Sequence, residues 1–101
     1  MNIIYNETLG NGIITYTAFC ETDIDTNISR YGITVKDNTT NTEVTIRDFT
    51  LEKEIIIDFT EALIRNTVSP DFVREIAEDY LSAWILKLSP YILLLVYHNY
   101  V

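Results

Sequence analysis

Residues Ser69 to Leu88 read SPDFVREIAEDYLSAWILKL, and the spacing of their apolar side chains decides the fold. At about 100° per residue, Phe72, Val73, Ile76, Ala77, Tyr80, Leu81, Trp84 and Leu88 fall on one broad stripe, which predicts an amphipathic helix with a core-facing side. Asp71, Arg74, Glu75, Glu78, Asp79 and Ser82 take the other side. The start of this helix is marked by its chemistry. The Ser69 hydroxyl can accept from the free N–H groups of the first turn. Pro70 fits the first helical position, where a missing N–H costs nothing, and Asp71 sets a negative charge on the positive end of the dipole.

Working back from Ser69, the short connection Asn66-Thr67-Val68-Ser69 leads to a second predicted helix over 51–67. Thr50 is its expected cap, with Glu52 and Glu54 in the first turn. Leu51, Ile55, Ile56, Phe59, Ala62 and Leu63 form its expected buried stripe. The run Glu54-Ile55-Ile56-Ile57-Asp58 sets three β-branched residues in a row, which favours strand locally. The 3.6-residue spacing and the cap decide for helix.

The first half of the chain, residues 2–49, has the period of β-structure. Asn2–Thr8 is a short strand, and Gly10-Asn11-Gly12 supplies residues that tolerate positive φ in a turn. In Ile13–Cys20, Ile14, Tyr16, Ala18 and Cys20 share one face, and Ile13, Thr15, Thr17 and Phe19 the other. Both faces carry apolar groups, so this strand is expected to be central. After a polar connection, Glu21–Asn27, the strand Ser29–Lys36 alternates Tyr31, Ile33 and Val35 inward with Arg30, Thr34 and Lys36 outward. Residues 37–41 form a turn, and Thr42–Phe49 carries Val44 and Ile46 inward. Gly32 leaves a gap in the outer face of its strand, a mark of a bulge or of another backbone approaching closely. The whole predicts an α+β fold in a single domain, 1–101: a four-stranded antiparallel meander followed by two C-terminal helices packed on one face.

Composition narrows function. Fifteen Asp and Glu against seven Lys and Arg give a net charge of −8 over 101 residues. Direct nucleic-acid binding is not expected, because phosphate neutralisation needs a basic patch. The single Cys20 excludes an internal disulfide and any cysteine-built metal site. The chain opens without a basic segment followed by a long apolar one, so the expected compartment is a reducing cytoplasm, and the sequons at Asn6, Asn27 and Asn38 are read as accidents of composition. Glu21-Thr-Asp23-Ile-Asp25-Thr-Asn27 begins like a calcium loop, but Ile28 stands where glycine is needed and Thr34 where a bidentate Glu is needed, so a solvated turn is expected. His98 has no companion for metal or acid–base work. Carboxylate pairs such as Glu78/Asp79 and Glu75/Asp79 fall on a hydrated helix face. Neither a glycine-rich phosphate loop nor a G-x-S-x-G or H-E-x-x-H motif occurs, so neither enzyme activity nor a cofactor is expected.

The end of the chain breaks the pattern. Ile85 and Leu86 fall on the polar side of the last helix, Ser89-Pro90 interrupts it, and the tail at 90–101 carries no charged side chain after Lys87. Its apolar run is too short for a membrane span, which needs roughly twenty residues. A buried last element or an oligomer interface is therefore expected ahead of membrane association. On the first helix, Ile57 and Ile64 are read as a narrow seam opposite the main stripe, beside Lys53, Asp58, Glu61 and Arg65. With Ile85, Leu86, Tyr91 and Leu94 they amount to more apolar surface than two helices on one sheet can hide. The expected partner is another protein or a second copy of the chain, in a homodimer. The alternative expectation is an acidic inhibitor, in which Glu54, Asp58, Glu61, Asp71, Glu75, Glu78 and Asp79 stand in for phosphates in a basic groove.

Three short runs, Tyr31-Gly32-Ile33-Thr34-Val35, Asn66-Thr67-Val68-Ser69-Pro70 and Ile76-Ala77-Glu78-Asp79-Tyr80-Leu81, resemble a small bacterial family of unknown function. That family pairs a Y-G-I strand with a V-S-P helix start and a later acidic-aromatic helix. The resemblance covers Tyr16 to Leu81 and leaves the tail outside. Where the family pattern has a His-Leu or similar pair after V-S-P, this chain has Asp71-Phe72. The resemblance implies the same α+β fold and transfers no activity, substrate or catalytic residue.

Overall fold

The computed structural model describes residues 1–9 and 12–88, with side chains as far as Ser82. In chain order the elements are β1 (Asn2–Thr8), β2 (Ile14–Thr22), β3 (Ser29–Asp37), β4 (Thr42–Thr50), α1 (Lys53–Arg65) and α2 (Pro70–Leu88). The strands form one sheet in the order β1-β2-β3-β4, each neighbouring pair antiparallel. This is the expected meander, with both helices against one face.

The core lies between that face and the helices. Ile14, Tyr16 and Ala18 of β2 and Ile33 and Val35 of β3 meet Ile56, Phe59 and Leu63 of α1 and Val73 and Ala77 of α2. Alternation along the strands dictates the first group and the helical period the second. Two polar atoms inside this layer are satisfied locally. The Tyr16 hydroxyl donates to the Val68 carbonyl at 2.8 Å, and burial pushes its pKa above the ordinary phenol value. The fully buried Thr60 hydroxyl donates back to the Ile56 carbonyl at 2.7 Å.

Two bulges shape the sheet. Between β1 and β2 the register slips by one residue at Ile4, since Ile3 faces Phe19 and Tyr5 faces Ala18. Between β3 and β4 the slip is wider: Ile33 faces Ile46, yet Tyr31 faces Thr50. Asp48, at φ 55°, sits inside this second bulge. Strict alternation from Val44 and Ile46 would turn Phe49 outward; the bulge turns it in, where it stacks on Phe59 with ring centroids 4.6 Å apart. Gly32 marks the same place from the other strand. A Cβ there would stand 2.4 Å from the Ile46 carbonyl oxygen and 2.7 Å from the Phe19 ring. The gap read from the sequence is thus a close backbone approach beside a bulge.

The helices depart from expectation at their ends. The first begins at Lys53 rather than Leu51 and finishes at Arg65 rather than Thr67. Thr50 is still the last residue of β4, paired with Tyr31, so its backbone belongs to the sheet. Its hydroxyl accepts from the Glu52 N–H at 3.1 Å, bridging strand to helix, and Glu52 takes the cap position. Leu51, expected in the buried stripe, is consequently 60% exposed. At the far end the Val68 N–H reaches the Leu63 carbonyl and the Thr67 N–H reaches the Ile64 carbonyl, both at 3.1 Å. Thr67 adopts φ 49°. These are the bonds of a Schellman stop, with threonine where glycine is usual, and the stop delivers Val68 to the core beside Leu63. In α2, the Ser69 carbonyl accepts from the Phe72 N–H at 3.1 Å. Phe72, expected on the core stripe, is 56% exposed. It lies about 100° around the helix from Val73, on the side away from Ala77 and Leu81.

Candidate functional site

The residues singled out from sequence divide into three groups. Ile57 and Ile64 do not form a seam opposite the core: both are half-buried and pack against it. Each follows a fully buried residue, Ile56 or Leu63, by about 100°, so it flanks the stripe, and the buried Thr60 between them widens the arc. The side chains of Ile85 and Leu86, and the whole of Tyr91, Leu94 and His98, lie outside the described residues.

The seven carboxylates form the third group, and all are exposed: Glu54, Asp58 and Glu61 on α1, and Asp71, Glu75, Glu78 and Asp79 on α2. Asp58 is distinguished from the rest because it accepts a hydrogen bond from the Tyr80 phenol, tying α1 to α2. In the sheet, acids are engaged by neighbours. Arg47 donates twice to Glu21, at 3.0 and 2.8 Å, and Arg30 donates to Asp48 at 2.7 Å. The Glu21 carboxylate holds the Arg47 guanidinium pKa above its ordinary value. The acidic run expected as a connection from Glu21 starts later, because Glu21 and Thr22 still belong to β2: Glu21 pairs with Arg47, and Asp23 accepts from the Asp25 N–H at 2.9 Å within the turn. Cys20 is a half-buried free thiol. Among the described residues no group of three or more His, Cys, Asp or Glu gathers as metal ligands would. Among them, too, no helix is long and apolar enough to cross a membrane.

What sequence reading did not single out is the contrast between the sheet's two edges. The β4 edge is blunted. Glu43 and Arg47 are exposed on it, the Asp48 bulge interrupts it, and Arg74 of α2 reaches across to donate to the Thr45 carbonyl at 3.3 Å. These are recognised devices against edge pairing. The β1 edge has few of them. Among the described residues β1 is paired on one side only, and its one charged side chain is Glu7. Past the Ile4 bulge its ladder is regular, with Tyr5, Asn6, Glu7 and Thr8 facing Ala18, Thr17, Tyr16 and Thr15. The Tyr5 phenol donates to the Glu7 carboxylate at 2.8 Å, a bond that pushes the phenol's pKa up. Exposed apolar side chains adjoin the start of this strand: Met1 is 79% exposed and Ile3 58%. Ile24, 96% exposed, and Ile28, 42%, stand in the β2–β3 turn at the same end of the sheet. The predicted meander already places β1 and β4 at the edges, but which of the two is blunted depends on the Asp48 bulge and the Arg74 contact, neither of which the sequence shows.

Compared with known proteins, the chain matches the model of a family of unknown function (DUF6514) over residues 5–83, which spans nearly all of the sheet and most of α2. No curated protein and no solved structure matches it.

Proposed function

Since the chain belongs to that family of unknown function, its role must be read from its own surface, and we propose that it is a non-catalytic protein–protein interaction module. The observation that supports this reading is the open β1 edge. Among the described residues no strand pairs with it beyond β2, so it presents backbone donors and acceptors along a strand that carries a single charge, next to the exposed Met1 and Ile3. Strand addition uses such an edge: main-chain hydrogen bonds supply affinity, and alternate side chains supply specificity. In this reading the half-buried free thiol of Cys20 fits a reducing cytoplasm, and no cofactor takes part.

Photo-crosslinking tests it. A photoreactive amino acid is placed at Asn6 on the β1 edge or at Glu43 on the β4 edge of the full chain, and both are irradiated in cells. The expected outcome is a discrete adduct from Asn6 and little or none from Glu43. Equal labelling from both edges, or none from either, removes the reading. The exposure of all seven helix carboxylates favours a second reading, electrostatic docking to a basic partner. It predicts adducts from Glu75 and Glu78 instead, fading as ionic strength rises, because exposed charges are screened beyond about 10 Å at 0.1 M salt.

A further inference from the structure

We propose that the edge of β1, which no described residue pairs, is completed by β1 of a second copy of this chain, in an antiparallel pairing whose two-fold axis passes beside Asn6. The proposal rests on the interaction reading above and names its partner and register. A two-fold contact between identical chains brings the same patch together from both sides, so an edge strand can serve it only if the strand is complementary to its own reversed copy.

Three features of β1 set the register. Its only charge is Glu7, so a pairing centred on that residue would set two carboxylates face to face, which is destabilising. A pairing centred on Ile4 would run through the bulge between Ile3 and Tyr5. Centred on Asn6, the contact uses the regular stretch, with Tyr5 opposite the partner's Glu7 and Asn6 opposite the partner's Asn6. The Tyr5 phenol and the Glu7 carboxylate are already a matched donor and acceptor, 2.8 Å apart within one strand, and the two-fold repeats that match between strands. An amide facing its own copy is likewise matched, because it both donates and accepts. Asn6 is exposed, with the Thr17 hydroxyl at 3.4 Å on its own sheet. Each copy carries a net charge of −8, so the two repel at long range and added salt strengthens the pairing. Docking through the carboxylates has the opposite salt dependence.

Sedimentation equilibrium of the full chain reads the result. The wild type is expected to self-associate to a dimer, more tightly at high salt than at low. Asn6→Lys and Asn6→Asp each place like charges across the axis and are expected to weaken the dimer about fivefold, while an equimolar mixture of the two regains wild-type affinity. A partner-independent role for Asn6 in folding would not give that rescue, and unchanged thermal melting of each variant confirms it. A wild type that stays monomeric up to roughly 100 μM, a millimolar-range affinity at best, overturns the proposal. So do single variants that associate like the wild type, and so does a mixture no tighter than either alone. If the chain is monomeric and Asn6 still crosslinks to a different protein, the second copy is ruled out and the interaction reading stands. If neither occurs, both fall.

Discussion

The two faces of this sheet are built from the same alternating strands and are filled in opposite ways. On the helix side, Tyr16, Ala18, Ile33 and Val35 are fully buried, and what covers them arrives from α1, α2 and Phe49. On the outer side the sheet covers itself. Threonine and asparagine side chains bond across the strands: Thr34 with Thr45 at 2.9 Å, Thr8 with Thr15 at 3.0 Å, Asn38 to Thr15 at 3.0 Å. Among the described residues, the one large apolar side chain buried there, Phe19 at 1% exposure, lies over Gly32, its register partner on β3. One face therefore depends on contacts between distant parts of the chain, and the other on neighbours fixed by hairpin register. Substitutions on the first should cost much more.

Phe59→Ala is the strongest way to break that contrast. The Phe59 ring is fully buried, stacked on Phe49 at 4.6 Å and tilted against Tyr80 at 5.0 Å, so its removal opens a cavity where sheet and both helices meet. Urea unfolding should show a loss of about 3–5 kcal/mol. A loss below about 1.5 kcal/mol would mean that the helices contribute little to covering this face. Gly32→Ala probes the outer face at its least yielding point. The added Cβ meets a backbone oxygen at 2.4 Å, which cannot swing aside, as well as the Phe19 ring at 2.7 Å. The expected cost is about 1–3 kcal/mol. Adding Phe19→Leu should recover only part of it, because the Ile46 carbonyl remains. Full recovery would show that the ring alone sets the limit.

How much of this was legible in the sequence follows the same division. Strand order and the inward set of β2 and β3 were readable, and the strand limits to within two residues (β2 was expected to end at Cys20 and ends at Thr22), because alternation and turn residues are local. So was the exposure of the seven helix carboxylates. Leu51 and Phe49 were not, since both depend on how β4 ends: Thr50 stays paired with Tyr31, and Asp48 in a left-handed conformation reverses the side chain that follows. Ile57, Ile64 and Phe72 show the angular limit of helix reading, where a residue one step from the stripe can fall to either side. The outer face hid its logic in register. Phe19 and Gly32 are explained only by facing each other, and the open β1 edge only by the absence of a described neighbour beyond it.

The smallest expected effect sharpens the contrast most, because it separates hydroxyl pairing from packing on the outer face. Thr34 and Thr45 stand opposite one another in β3 and β4, part-buried, with hydroxyls 2.9 Å apart. Thr34→Val keeps the β-branched shape and leaves one hydroxyl without its partner. A cross-strand hydrogen bond has a net worth of about 1 kcal/mol, and nearby water offsets part of the loss, so urea unfolding should show about 0.5–1 kcal/mol of destabilisation. Replacing both residues by valine removes the unpaired group as well as the bond, and two β-branched apolar side chains opposite one another suit a pleated surface. The double variant should therefore return to within about 0.5 kcal/mol of the wild type. If it instead falls by the sum of the two single losses, the two hydroxyls do not act as a pair, and the outer face at this point is held by contacts other than their mutual hydrogen bond.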